Sequence, residues 1–219
     1  LLFFFFFFSL SLSLSLFFFF FKKIAARVVD ALFEASKASI KRWNFHGGPN
    51  FNTMNGPITY RDLSTDTPFV TALYYGLWVF AVATANHAQL TQIDVTPAAP
   101  AGLSLWAVED AQHRVRLVAI FKDCQATVPA ELCVKPPASR GLGTGPAQLL
   151  RLSSNATRPL DVVLARSGFD FAGQTFDGSP DGTPQGTRQP QSVALVNGCY
   201  PFSVAPLTAA VLVLPTSSS

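Results

Sequence analysis

The sequence predicts a mainly β protein, an antiparallel β-sandwich preceded by a single α/β unit. Three observations predict it. The stretch Leu103 to Asp123, LSLWAVEDAQHRVRLVAIFKD, reads as a β-hairpin turning through Glu109-Asp110-Ala111-Gln112. In its second arm Val115, Leu117, Ala119 and Phe121 share one face, as alternation along a strand requires. On the other face Arg114 and Arg116 give way to Val118 and Ile120, so that face should be wet at the start and covered at the end. Secondly, Gln89 to Leu214 is a succession of short apolar runs separated by turn residues, the texture of a sandwich. Thirdly, an amphipathic run, a short apolar run and a Gly-Gly loop follow one another near the start, the order of a parallel α/β unit whose sites sit at the strand's C-terminal end.

The amphipathic run is Ile24 to Ile40, where Val28, Leu32, Ala35 and Ser39 form a stripe and Arg27, Asp30, Glu34 and Lys37 fall elsewhere. Ile40 to Phe45 is the short strand, ending in His46-Gly47-Gly48-Pro49. Asn50 to Phe69 is polar and irregular and reads as a long loop. Thr71 to Thr84 is an apolar helix, either a core helix between two layers or an aromatic-lined helix beside a ligand cleft through Tyr74 and Trp78. The strands that follow are Gln89–Val95, the hairpin, Ala147–Ser153, Leu160–Arg166, Ser192–Val196, Tyr200–Val204 and Ala209–Leu214. The glycines of PPASRGLGTGPA have no phosphate-loop spacing and precede a strand, so they make no nucleotide site.

Composition narrows the function. Of the 21 Phe among 219 residues, eleven lie in the first 21, a block of only Phe, Leu and Ser that inflates the 49% hydrophobic content. This block is either a membrane span or a translated pyrimidine tract at a gene-model boundary. A membrane partner is expected only if residues 1–21 are expressed. A formal charge of +3 without a basic run gives no footing for nucleic acid. Of the three cysteines, Cys124 and Cys133 are close enough for a small staple; the alternative is three free thiols. Asn155-Ala156-Thr157 is a glycosylation sequon. No cofactor or metal motif is present in the sequence, and Asp177 and Asp181 are read as turn formers rather than calcium ligands.

Five stretches, ALFEASKASIKRWNFHGG, TPFVTALYYGLWVFA, LSLWAVEDAQHRVRLVAIFKD, FDFAGQTFDGSPDG and PFSVAPLTAAVLVLP, together resemble the C-terminal part of fungal glycoside hydrolases of family 79, the β-glucuronidase and heparanase-like group. The resemblance runs in the family's order from about Ile24 to Pro215. It implies a retaining glycosidase whose (β/α)8 barrel precedes a β-sandwich. The α/β unit is then the last of a truncated barrel: Ile24–Ile40 the seventh helix, Lys41–Phe45 the eighth strand and Thr71–Thr84 the eighth helix. The implied organisation is a Phe/Leu/Ser segment over 1–23, a barrel remnant over 24–85, a sandwich over 86–215 and a tail over 216–219.

Retaining hydrolysis needs two carboxyl groups about 5 Å apart, and the family's glutamates lie upstream of this segment. Glu34, Glu109 and Glu131 match neither, so no catalytic residue is assigned. The resemblance places Asn44, His46, Gly47 and Gly48 in a sugar-acid pocket, although Phe51 and Asn52 stand where the family tends to carry a tyrosine. The expected partner is a glycan, including uronic-acid-containing carbohydrate, and the expected compartment is extracellular. The alternative is a stand-alone carbohydrate-binding or structural sandwich using exposed aromatics such as Trp106 or Phe176. Exposed barrel faces would make the whole chain poorly soluble, and a chain beginning near Ala85 would be better behaved.

Overall fold

The computed structural model describes residues 25–40, 58–60, 68–92, 95–96, 99–136, 143, 145–156 and 167–216. The described residues form three layers: two helices, a seven-stranded sheet and a three-stranded sheet. Helices α1 (Ala25–Lys37) and α2 (Ala72–Ala83) form the first layer. They approach closely at Gly76, where a Cβ would stand 2.6 Å from the Ala25 carbonyl oxygen and 3.0 Å from Val28 Cβ.

The large sheet contains β3 (Gln89–Thr91), β5 (Leu103–Glu109), β6 (Val115–Phe121), β8 (Ala147–Ser154), β9 (Phe169–Phe171), β10 (Gln191–Val193) and β12 (Thr208–Val213). Its order is β10-β8-β12-β6-β5-β3, with β9 also on β8 and every pairing antiparallel. The small sheet is β11-β7-β4, from Tyr200–Val204, Ala130–Val134 and Val95–Thr96. Ahead of them, β1 (Ile58–Tyr60) and β2 (Pro68–Val70) form a two-stranded ribbon, so the segment read as a loop contains paired strands.

The alternation in β6 and β12 explains the layering. Val118, Ile120, Ala209 and Val211 join the core under the helices. Leu117, Ala119, Ala210 and Leu212 join the core between the sheets. A strand with side chains in two cores is covered on both faces, and every residue of β6 is buried.

Several expectations are corrected. Gln89 to Val95 is two strands, because the chain leaves β3 in the large sheet and enters β4 in the small one. Strands β7 and β9, unread in the sequence, pair with β11 and β8. Glu109 closes β5 opposite Val115, so the turn begins one residue later. Arg116 is not wet: it is buried against Asp110 and the carbonyls of Ala83 and Ala85 at the end of α2. Among the described residues α2 lies in an outer layer, over one face of the large sheet. The eighth-strand segment Lys41–Phe45 and the strand Leu160–Arg166 lie outside the described residues.

The cysteine staple joins Cys133 to Cys199, with Cα atoms 5.4 Å apart, and leaves Cys124 free and exposed. The reason is register. Cys133 opposes Pro201 in the β7–β11 ladder, which places Cys199 two residues along on the same face, within disulfide reach. The expected Cys124–Cys133 link does not form; Cys124 sits beyond the end of β6, outside that ladder.

Candidate functional site

Asn44, His46, Gly47 and Gly48 lie outside the described residues. Glu34 is exposed on α1, whereas Glu131 is on β7 in the small sheet. The large sheet separates them. Glu109 Oε1 lies 2.8 Å from His113 Nδ1. Among the described residues no group of three or more His, Cys, Asp or Glu side chains could hold a metal ion, and no helix is long and apolar enough to cross a membrane.

Asp177 and Asp181 act in turns. Asp181 Oδ1 accepts bonds from the Thr183 hydroxyl at 2.7 Å, the Thr183 amide at 3.0 Å and the Ser179 hydroxyl at 3.3 Å. These bonds, led by the Thr183 hydroxyl, hold its carboxyl below the usual range. Asp177 Oδ2 accepts the Gly168 amide. Asn155 is exposed, its amide donating to the Gly168 carbonyl at 2.9 Å.

Neither aromatic named for glycan binding is free. Trp106 stacks on Phe33 with centroids 5.5 Å apart, and its Nε1 donates to Asp30 Oδ1 at 2.9 Å. Lys122 Nζ takes the other Asp30 oxygen at 2.5 Å. Trp106 is therefore a tie between β5 and α1. Phe176 is buried, its ring 5.0 Å from those of both Tyr74 and Trp78.

The richest constellation lies where α2 meets the segment between β9 and β10. Tyr74, Tyr75 and Trp78 come from two successive turns of the helix, Phe169 and Phe171 from β9, and Phe176 from the segment that follows it. The centroid separations, 5.0–5.5 Å between these partners, are those of favourable edge and tilted aromatic pairs. Fully buried Tyr75 accepts the Phe176 amide at 2.7 Å and shares a 3.1 Å bond with the Thr175 hydroxyl. Burial pushes the Tyr75 phenol up, against the pull of those two bonds, so it stays neutral at physiological pH. The Arg188 guanidinium stands 5.7 Å from the Trp78 ring and its Nε donates to Gln174 Oε1 at 3.2 Å. Phe176 and Arg188 thus lie against the half-buried rings of Tyr74 and Trp78, and the constellation holds this segment to α2. The sequence reading found Tyr74 and Trp78 but missed Tyr75, whose hydroxyl partners lie 100 and 101 residues away.

No family model and no curated protein matches the chain. Solved glycoside hydrolases do. A family 51 α-L-arabinofuranosidase from Bifidobacterium longum superposes with a TM-score of 0.50 at 15% identity, over 87% of this chain and 34% of its own. A 4-O-α-L-rhamnosyl-β-D-glucuronidase from Fusarium oxysporum gives 0.46 at 20% identity over 66% of this chain and 30% of its own. A family 30 subfamily 8 xylanase from Clostridium acetobutylicum gives 0.47 at 13% identity, over 89% and 40%. The chain thus spans less than half the length of each. By fold, it is a glycoside hydrolase-like sheet and helix assembly.

Proposed function

We propose that this chain is the C-terminal sheet region of a retaining glycoside hydrolase of the family 79 type, joined to the last helices of its barrel, and that it does not hydrolyse glycosides by itself. The observation that carries the reading is spatial. The resembling stretches contribute α1, α2, β5–β6, β9 and β12 to one shared core beneath the helices. Pieces distant in sequence thus make one assembly, as parts retained from a larger enzyme would. The missing function is the carboxyl pair, since the described glutamates are divided between the two sides of the large sheet or engaged by His113.

The proposed substrate of the complete enzyme is a glycan bearing a uronic acid, with Asn44, His46, Gly47 and Gly48 lining its pocket. Secretion is part of the proposal. The Cys133–Cys199 disulfide and the exposed Asn155 of the sequon support an oxidising compartment.

Sequencing the transcript upstream of Leu1 tests the reading. The expected result is a continuous open frame encoding barrel strands that carry two glutamates. An in-frame stop codon followed by a start codon adjoining the Phe/Leu/Ser block would overturn it.

A further inference from the structure

We infer that residues 173–189 form a strap latched over the aromatic face of α2 by Tyr75, with Phe176 its one residue in the core beneath the helices, able to open while the strands of both cores stay paired. Strands β9 and β10 pair in succession along one edge of β8, β9 at Leu152–Ser154 and β10 at Ala147–Leu149. The segment between them leaves that edge and returns to it. Its neck is closed by the Gln189 amide donating to the Ala172 carbonyl at 2.7 Å, and by paired bonds between Thr175 and Gln185. Gly173 and Gly186 cross there: a Cβ on Gly186 would stand 2.4 Å from the Gly173 carbonyl oxygen. The strap is therefore a compact unit able to move as one body.

Its attachment to the helices is narrow. Phe176 inserts between Tyr74 and Trp78, the Tyr75 hydroxyl accepts the Phe176 amide, and Arg188 covers Trp78. The part beyond Phe176 is otherwise largely exposed. A segment with few buried contacts opens at lower free energy than a core strand such as β6, which is buried along its whole length. Opening uncovers Tyr74 and Trp78, which stand four residues apart on α2. The inference rests on these contacts and not on the glycosidase reading.

Hydrogen exchange and limited trypsin digestion of the full chain test it together. The Thr175, Phe176, Gln185 and Gln189 amides should exchange faster than the β6 and β12 amides under conditions where the cores remain folded. Tyr75→Phe removes both hydrogen bonds of that hydroxyl and should raise Phe176 exchange and cleavage after Arg188 by at least about tenfold, with β6 and β12 exchange unchanged. Thr175→Ala, which removes another partner of the same hydroxyl, should shift Phe176 exchange in the same direction and serves if the tyrosine variant does not fold. Strap amides that exchange only at the rate of β6 and β12, or variants that leave Phe176 exchange unchanged, would overturn the inference.

Discussion

Asp110 and Arg116 form a buried ion pair, Oδ2 to Nη2 at 2.6 Å, with side chains 0% and 6% exposed. The same guanidinium donates to the carbonyls of Ala83 at 3.2 Å and Ala85 at 3.3 Å. Carbonyls left over at a helix end need donors and favour a cation, so Arg116 ties the end of α2 to the hairpin. Asp110→Asn leaves the buried Arg116 charge without a carboxylate, at a typical cost of about 3–5 kcal/mol in urea unfolding. Arg116→Met should cost less, because Arg114 Nε still reaches Asp110 Oδ2 at 2.9 Å, and the double variant should lose less than the sum of the two.

Acid should act through Asp110. Burial raises its pKa, but the Arg114 and Gln112 amides, the Arg114 side chain and the Arg116 charge outweigh burial and hold it below the usual carboxylate value. A depressed folded pKa gives stability that is present above the unfolded value of about 3.9 and lost as pH falls through the folded one. Unfolding free energy should fall below about pH 4, and Asp110→Asn should flatten that part of the profile.

Gly76→Ala sets helix propensity against sterics. Alanine is favoured over glycine inside a helix by about 1 kcal/mol, yet its Cβ would meet the Ala25 carbonyl oxygen at 2.6 Å. That neighbour is backbone and cannot rotate away, so α1 and α2 must separate. The net change should be destabilising by about 1–3 kcal/mol in denaturant titration.

The Cys133–Cys199 link spans 66 residues. By loop entropy, closing a loop of this size stabilises by about 4 kcal/mol. Cys199→Ser should lower the melting temperature and Cys124→Ser should leave it unchanged, as calorimetry under non-reducing conditions can establish.

Removing the helices should harm the protein. A chain beginning at Ala85 loses both helices and uncovers Val118, Ile120, Val211 and their neighbours in the large sheet. It should associate where the full chain does so less, measured by light scattering at equal concentration. This reverses the expectation drawn from sequence, which treated the helices only as a liability.

The strands most legible in the sequence are nearly continuous apolar runs. Val115 to Phe121 and Ala209 to Leu214 are of this kind, and both meet the two cores. Strands β7 and β9 were missed because each is short and its pairing is decided by partners distant in sequence. The tie between Asp30, Trp106 and Lys122 was illegible for the same reason: its partners lie 76 and 92 residues from Asp30. Arg116 was misjudged because a charged residue on a strand face normally points to water. Burial became tolerable only once Asp110 and two helix-end carbonyls surrounded it.

The most direct measurement is hydrolysis of p-nitrophenyl β-D-glucuronide and related aryl glycosides by the purified full chain. On the reading proposed above, release should be no faster than in buffer, because the described glutamates are divided between the two sides of the large sheet or bonded to His113. Turnover above that level, abolished by Glu34→Gln, Glu109→Gln or Glu131→Gln in a variant that still folds, would contradict it.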